Sequence, residues 1–322
     1  MLQVQDLSLT IPIQGKHVTA VESVSLTLQP GRVLGLVGES GCGKSITAQA
    51  ILRLGEHQGV DRSSGDILLD EKSLFSMSEA QLRKVRGGRI AMVFQEPMTA
   101  LNPVFSIGSQ ITEVISLHLA LDYDAARQRA IQLLKDVGMQ DAESLLDQYP
   151  DALSGGMRQR VLIAMAMAGE PEYMIADEPT TALDVSVQKR IIQLLRALQQ
   201  KKGLGMLLVT HDFGLVAELA DDVVVMYAGQ IVESGSVTEV FDHPAHPYTR
   251  ALMACRPEVS EPGSALPVIS GQVPAPGRWP KGCHFAKRCS LADSGCEKSV
   301  PYNAWRADSH LARCVHVTKA SS

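Results

Sequence analysis

The segment Gly38-Glu39-Ser40-Gly41-Cys42-Gly43-Lys44-Ser45 constrains this chain more than any other stretch. It follows an apolar run over residues 33–37 and precedes residues 46–54, which read as helix. Strand, glycine-rich turn, Lys-Ser and helix is the arrangement that cradles a phosphate. Glycines let consecutive backbone N–H groups converge on phosphate oxygens, and the start of the helix adds the positive end of its dipole. Lys44 is placed to reach the β- and γ-phosphates of a nucleoside triphosphate such as ATP, and Ser45 to put its hydroxyl on Mg²⁺. A glycine-rich turn that matches by chance would not need these flanks.

Composition removes several classes. The net charge of −5 and the lack of a basic run argue against a nucleic-acid partner. No apolar stretch approaches the roughly 18 residues of a membrane span. The N-terminus has neither a basic segment nor a long apolar one, so no signal peptide is expected and the chain should be cytosolic. Disulfides are then not expected, and the six cysteines need another account. Four of them, Cys283, Cys289, Cys296 and Cys314, crowd the C-terminal end.

Along the chain, Leu2, Val4, Leu7 and Leu9, then Val24, Leu26 and Leu28, alternate as antiparallel strands do. Residues 65–70 read as an edge strand and 89–94 as a buried one. Residues 106–138 switch to helical spacing, marking a helical insertion, and 158–168 continue as helix behind Ser154, a fitting N-cap. Short apolar strands over 173–176 and 206–209 alternate with helices over 185–200 and 213–219. A hairpin turns at Ala228-Gly229. The expected fold is α/β: a parallel sheet core with helices on both faces, an antiparallel β subdomain and a helical subdomain over about 97–168. After about residue 240 prolines become frequent, which suggests a small, loop-rich module.

The chemistry-bearing residues sit where strands end, the usual place for ligands in open α/β sheets. Asp177 ends one strand and can organise Mg²⁺. Glu178 follows and can orient or deprotonate the water that attacks the γ-phosphate. His211 ends the next strand, and Gln95 ends a third, where it can sense both Mg²⁺ and water. Taken singly, each could be an exposed turn residue or a helix cap. Ser154-Gly155-Gly156 opens a second helix fit for an anion. One nucleotide does not need two such sites, so this one suits the nucleotide of a partner chain.

GESGCGKS, VFQEP, LSGGMRQR, MIADEP, TALD and LVTHD stand in this order and together resemble the motifs of ABC-transporter ATPases. The resemblance implies that two ATPase domains close head-to-tail around two ATPs. Ser154, Gly155, Gly156 and Gln159 would then act on the partner's ATP, and Asp184 would couple the two sites. Glu178, His211 and Gln95 would be catalytic, residues 38–45 would hold the phosphates, and Ser45, Gln95 and Asp177 would serve Mg²⁺. The family usually places an aromatic ring near the adenine, where this chain has only Ile11 or Ile13.

The C-terminal segments HPAHPYTRALM, GQVPAPG and GCHFAKRC narrow the likeness to the ATP-binding subunits of dipeptide, oligopeptide and nickel-type importers. This implies an ATPase domain over 1–240 and a C-terminal extension over 241–322. The expected partners are two membrane permeases, a second ATPase subunit (a heterodimer, with a homodimer as the alternative) and, indirectly, an extracytoplasmic solute-binding protein. The expected place is the cytoplasmic face of the inner or plasma membrane. Met98, Leu101, Pro103 and Phe105 are candidates to line a groove for a permease helix, or else they are ordinary core. Import of peptides is the leading function and import of nickel or a metal chelate the alternative. Rivals from other classes are a soluble ATPase of DNA repair or translation and an ATP-modulated metal or redox regulator.

The four clustered cysteines are separated by five, six and seventeen residues. They suit structural zinc, an iron–sulfur cluster or simple buried thiols. The resemblance implies a [4Fe-4S] cluster, with Zn²⁺ second. His284, His310 and His316 flank these thiols and are expected to be surface or supporting residues.

Overall fold

The computed structural model describes residues 1–181, 183–255, 268–298, 300, 302–304 and 309–317, with the side chains of residues 97, 98, 303 and 304 left out. The chain forms two compact units. Unit 1 comprises residues 1–28, 33–75 and the described residues from Val209 onward; unit 2 comprises 29–32 and 76–208.

In unit 1, β1 (Leu2–Ile13) lies between β2 (Lys16–Leu28) and β4 (Asp61–Leu69), both antiparallel to it, and β5 (Lys72–Ser73) borders β4; between β2 and β4 in the chain come β3 (Val33–Val37) and α1 (Lys44–Ile51). Leu2, Val4, Leu7 and Leu9 are all buried, although the step from 4 to 7 breaks a period of two. A bulge resolves this: the register shifts between Val4 and Leu7, and Asp6 takes φ 45°. Ser25 holds the bulge, accepting from the Asp6 N–H at 2.9 Å and donating to its carboxylate at 3.0 Å. On the facing strand, Gly65 sits at φ 80°, and a Cβ there would stand 2.4 Å from the Asp6 carbonyl oxygen.

Unit 2 begins with α2 (Glu79–Val85), closed by a Ser78–Gln81 capping box that sequence periodicity did not single out. Next are β6 (Ile90–Val93) and the helical segment expected from sequence: α3 (Pro97–Ala100), α4 (Ile107–His118), α5 (Tyr123–Asp136), α6 (Ala142–Leu145) and α7 (Gly155–Met167). Buried Ile107, Ile111 and Ile115 form the inner stripe of α4, and Ala126, Ala130, Leu133 and Leu134 that of α5. β7 (Tyr173–Asp177) pairs in parallel with β6 and is buried along its whole length. Then come α8 (Val185–Lys202) and β8 (Gly205–Thr210).

The rest of unit 1 is α9 (Phe213–Leu219), β9 (Asp222–Tyr227), β10 (Gln230–Ser236), α10 (Val237–Asp242), α11 (Pro247–Ala254), β11 (Asn303–Ala304) and β12 (Leu311–Ala312). β9 is parallel to β3 and antiparallel to β10, with Ala228 (φ 43°) and Gly229 (φ 81°) forming the tight turn. The extension is less loop-like than its prolines suggest: α11 begins with Pro247 at its first position, and β12 extends the sheet beyond β10. Pro257, Pro262, Pro267 and Pro301, which helped to mark the extension by sequence, lie outside the described residues.

Glu233, fully buried on β10, anchors this region. Its two oxygens accept from the backbone N–H groups of Ala245 (2.7 Å) and His246 (2.8 Å), and one also meets His310 Nε2 at 2.8 Å. A buried carboxylate is tolerable only with such company.

Candidate functional site

Unit 1 carries the phosphate turn, between β3 and α1. Gly43, at φ 110°, enters the helix in a backbone conformation that favours glycine, and a Cβ there would stand 3.2 Å from the Ala20 carbonyl oxygen. The uncapped start of α1 directs its positive end at the turn. Lys44 is only 4% exposed, and its ammonium donates to the carbonyls of Gly38 (2.7 Å) and Glu39 (3.1 Å). Cys42 is buried beneath the turn, and that burial pushes its thiol pKa up. His211 follows the end of β8 and is exposed. On the β1–β2 hairpin Ile11 is half-buried and Ile13 is exposed.

Unit 2 carries the carboxylates. Asp177 is the last residue of β7 and is buried. Glu178 stands in the left-handed region at φ 46°, a conformation that costs a non-glycine residue about 1–3 kcal/mol. Its carboxylate accepts from Thr181 Oγ1 at 2.7 Å and from Gln95 Nε2 at 3.1 Å. Two residues expected to be catalytic, 83 positions apart, are thus joined by a hydrogen bond.

Also in unit 2, Ser154 caps α7 as expected, accepting from the Met157 N–H at 3.4 Å. Asp184 caps α8. Its carboxylate accepts from Ser186 Oγ (2.7 Å) and from the Val187 N–H (2.9 Å), and these bonds hold it below the usual carboxylate range. Ser154, Gly155, Gly156 and Asp184 line one open cavity of about 700 Å³ together with Arg160 and Arg190. Two exposed helix starts and two arginines make it a fitting receptor for an anion. Gln159, further along α7, is 1% exposed, and its buried amide nitrogen makes no hydrogen bond within the described residues.

The candidate permease-facing residues divide. Leu101 is core at 3% exposure, whereas Phe105 is 53% exposed beside Val104 at 71%; the Met98 side chain lies outside the described residues.

The four C-terminal thiols gather in unit 1. Burial raises the pKa of Cys283 to about 11, and the nearby Cys296, Cys314 and Cys289 add to the rise. Backbone N–H groups point at the sulfurs: Phe285 at Cys283, Leu291 at Cys289 (3.4 Å), and His316 and Val317 at Cys314. Such bonds favour thiolates, the form that binds a metal or cluster. One tetrahedral zinc with Zn–S bonds of about 2.3 Å would bring all four sulfurs to within about 4 Å of each other. Among the described residues the ligand atoms of Asp293, Cys296 and His316 lie within 4.8 Å of one another, a set that includes one of the four thiols. His284 and His310 are held elsewhere: His284 Nδ1 lies 2.7 Å from the Ala228 carbonyl oxygen, and His310 is paired with Glu233.

Sequence reasoning missed the residues that hold the phosphate turn from behind. Tyr248 and Tyr227 are fully buried, and Arg288, next to Cys289, reaches the turn at Glu39. The single legible signal was an arginine inside the GCHFAKRC segment, where the cysteines took the attention.

Comparison with known proteins agrees with this geometry. A family model described as ABC transporter matches residues 21–181, and one described as oligopeptide/dipeptide transporter, C-terminal region, matches residues 232–296. The chain belongs to the ABC transporter ATP-binding family, and it is an ATPase. A protein of Brucella abortus named as a peptide import ATP-binding protein is 48% identical over 94% of this chain and 90% of its own length. A Brucella ovis protein of the same description is 45% identical over 98% and 96%. Among solved structures, a dimeric ATP-binding cassette in a post-hydrolysis state, bound to ADP and Pi, superimposes with TM-score 0.65 at 26% identity, covering 74% of this chain and 99% of that one. cbiO1 of Clostridium perfringens, part of an ABC transporter complex, gives 0.64 at 30% identity, covering 75% and 90%. No described helix is long and apolar enough to cross a membrane.

Proposed function

We propose that this chain energises the import of dipeptides and oligopeptides through partner permeases, from the cytoplasmic face of the membrane. The observation that carries the reading is the C-terminal match over residues 232–296, on a chain whose relatives are named for peptide import over nearly their whole length. Residues 38–45 hold the ATP phosphates, with Ser45, Gln95 and Asp177 as hard oxygen ligands suited to Mg²⁺. Bound Mg²⁺ neutralises charge on the phosphates. Glu178, oriented by Gln95 and Thr181, positions the attacking water, and His211 adds a hydrogen bond near the γ-phosphate. Ser154, Gly155, Gly156 and Asp184 complete the site of a second ATPase subunit, for which the cavity beside them leaves room. Exposed Val104 and Phe105 are the permease-facing residues. The test is reconstitution of the complex with its permeases and solute-binding protein in vesicles. ATP hydrolysis should rise on adding peptide and stay at its basal rate on adding nickel. Stimulation by nickel alone would overturn the peptide assignment.

Cys283, Cys289, Cys296 and Cys314 form the site of a [4Fe-4S] cluster in this reading, supported by their gathering in one unit and by the N–H groups at the sulfurs of Cys283, Cys289 and Cys314. Within the chain, its effect is to tie a module of short elements together. Protein purified without oxygen should be brown, with broad absorption near 400 nm (roughly, for iron–sulfur centres), and should lose that colour in the Cys289→Ser variant. A colourless protein carrying one zinc would sink the assignment.

A further inference from the structure

Glu39 places a carboxylate inside a loop meant for a triphosphate, which by itself would repel the ligand. The structure shows what offsets it. The two oxygens of Glu39 accept from Arg288 Nη1 (2.7 Å) and Nη2 (3.0 Å), a bidentate pair. The side chain of Arg288 is 5% exposed and that of Glu39 is 29% exposed. Every N–H of the guanidinium is used: beyond Glu39, it donates to the carbonyls of Ser270 (2.9 Å) and Ile269 (3.1 Å) and to the Tyr227 hydroxyl (3.4 Å). It also lies 5.7 Å from the Tyr227 ring centre. Arg288 is therefore fixed before it meets the loop.

A second contact acts on the same residue. The backbone N–H of Glu39 donates to the Tyr248 hydroxyl at 2.9 Å. Tyr248 is immobilised in a triangle of rings with Tyr227 (4.6 Å) and Phe285 (5.2 Å). The carbonyl of that same Glu39 accepts from Lys44 Nζ. Side chain, N–H and carbonyl of one loop residue thus link the C-terminal extension to the lysine of the phosphate turn.

We infer that Arg288 is a positioning residue for ATP: with Tyr248 it clamps Glu39, neutralises its charge and sets the phosphate loop that Lys44 depends on. The extension is then a working part of the nucleotide site, within the same compact unit. The inference rests on the reading of residues 38–45 as the ATP loop.

The electrostatic part separates this role from general support of the fold. Arg288→Ala leaves an uncompensated carboxylate facing the triphosphate, so MgATP affinity should fall about tenfold and the KM for ATP should rise, with kcat little changed. The double variant Arg288→Ala/Glu39→Gln removes the repulsion and should recover most of the affinity. Arg288→Lys keeps the charge but not the fork and should fall between. The measurements are calorimetric MgATP binding to the full-length chain, steady-state hydrolysis, and a thermal melt of each variant. Equal affinity of wild type and Arg288→Ala would overturn the inference, and so would a loss that Glu39→Gln fails to relieve. If Arg288→Ala melts early, Arg288→Lys and the double variant still decide. If the unmodified chain binds no MgATP, the ATP-loop reading itself fails, which is a different result.

Discussion

Glu178→Gln should lower ATP turnover by about a hundredfold or more while MgATP still binds. The amide preserves the shape and can still meet Gln95 or Thr181, but it cannot take a proton or hold water as a carboxylate does. With hydrolysis blocked, two chains closed on two ATPs should persist as a dimer. Phosphate release, calorimetric binding and size-exclusion chromatography with MgATP read the three effects. Wild-type turnover in the assembled transporter would remove Glu178 from its role. The backbone makes the case specific: a glutamate held at φ 46° at the end of a fully buried strand resembles the strained positions that accumulate at working sites.

Lys44→Ala should cost about 10–100-fold in MgATP affinity, the range expected when a charged hydrogen-bond donor is lost. Lys44 is nearly buried, so its stem packs in the turn while its ammonium bonds two loop carbonyls. Its removal takes away both the charge for the phosphates and the donor for Gly38 and Glu39. Equilibrium binding, with a melt to confirm folding, checks this; affinity within about threefold of wild type would refute the P-loop assignment.

What could be read from the sequence followed from local physics. Periodicity marks α4, α5 and α8, because each buries one regular face, while continuous apolar runs mark β3, β7 and β8, which are buried along their whole length. Ser154 was legible as a cap, because the cap bond spans only residues 154–157. Even the bulge at Asp6 left a trace in the spacing of Leu2, Val4, Leu7 and Leu9, although alternation alone gave no reason for it. What escaped reading depended on distance along the chain. The Gln95–Glu178 bond and the Glu39–Arg288 pair join residues 83 and 249 positions apart, and no window along the sequence contains either. The burial of Gln159 is illegible for a related reason: a motif gives the order of residues, while the direction of each side chain is set by what packs around the helix.

The clamp on Glu39 also sets an order in time. Its arginine lies 249 residues after the carboxylate it holds. At about 5–20 residues per second of synthesis, a nascent chain carries its phosphate turn for roughly 12–50 s before Arg288 is made. Through that interval the turn exists with its negative charge unbalanced and its tyrosine partner, Tyr248, also unmade for most of the time. The nucleotide site is thus finished only once residue 288 has been made and the chain has returned to its phosphate turn.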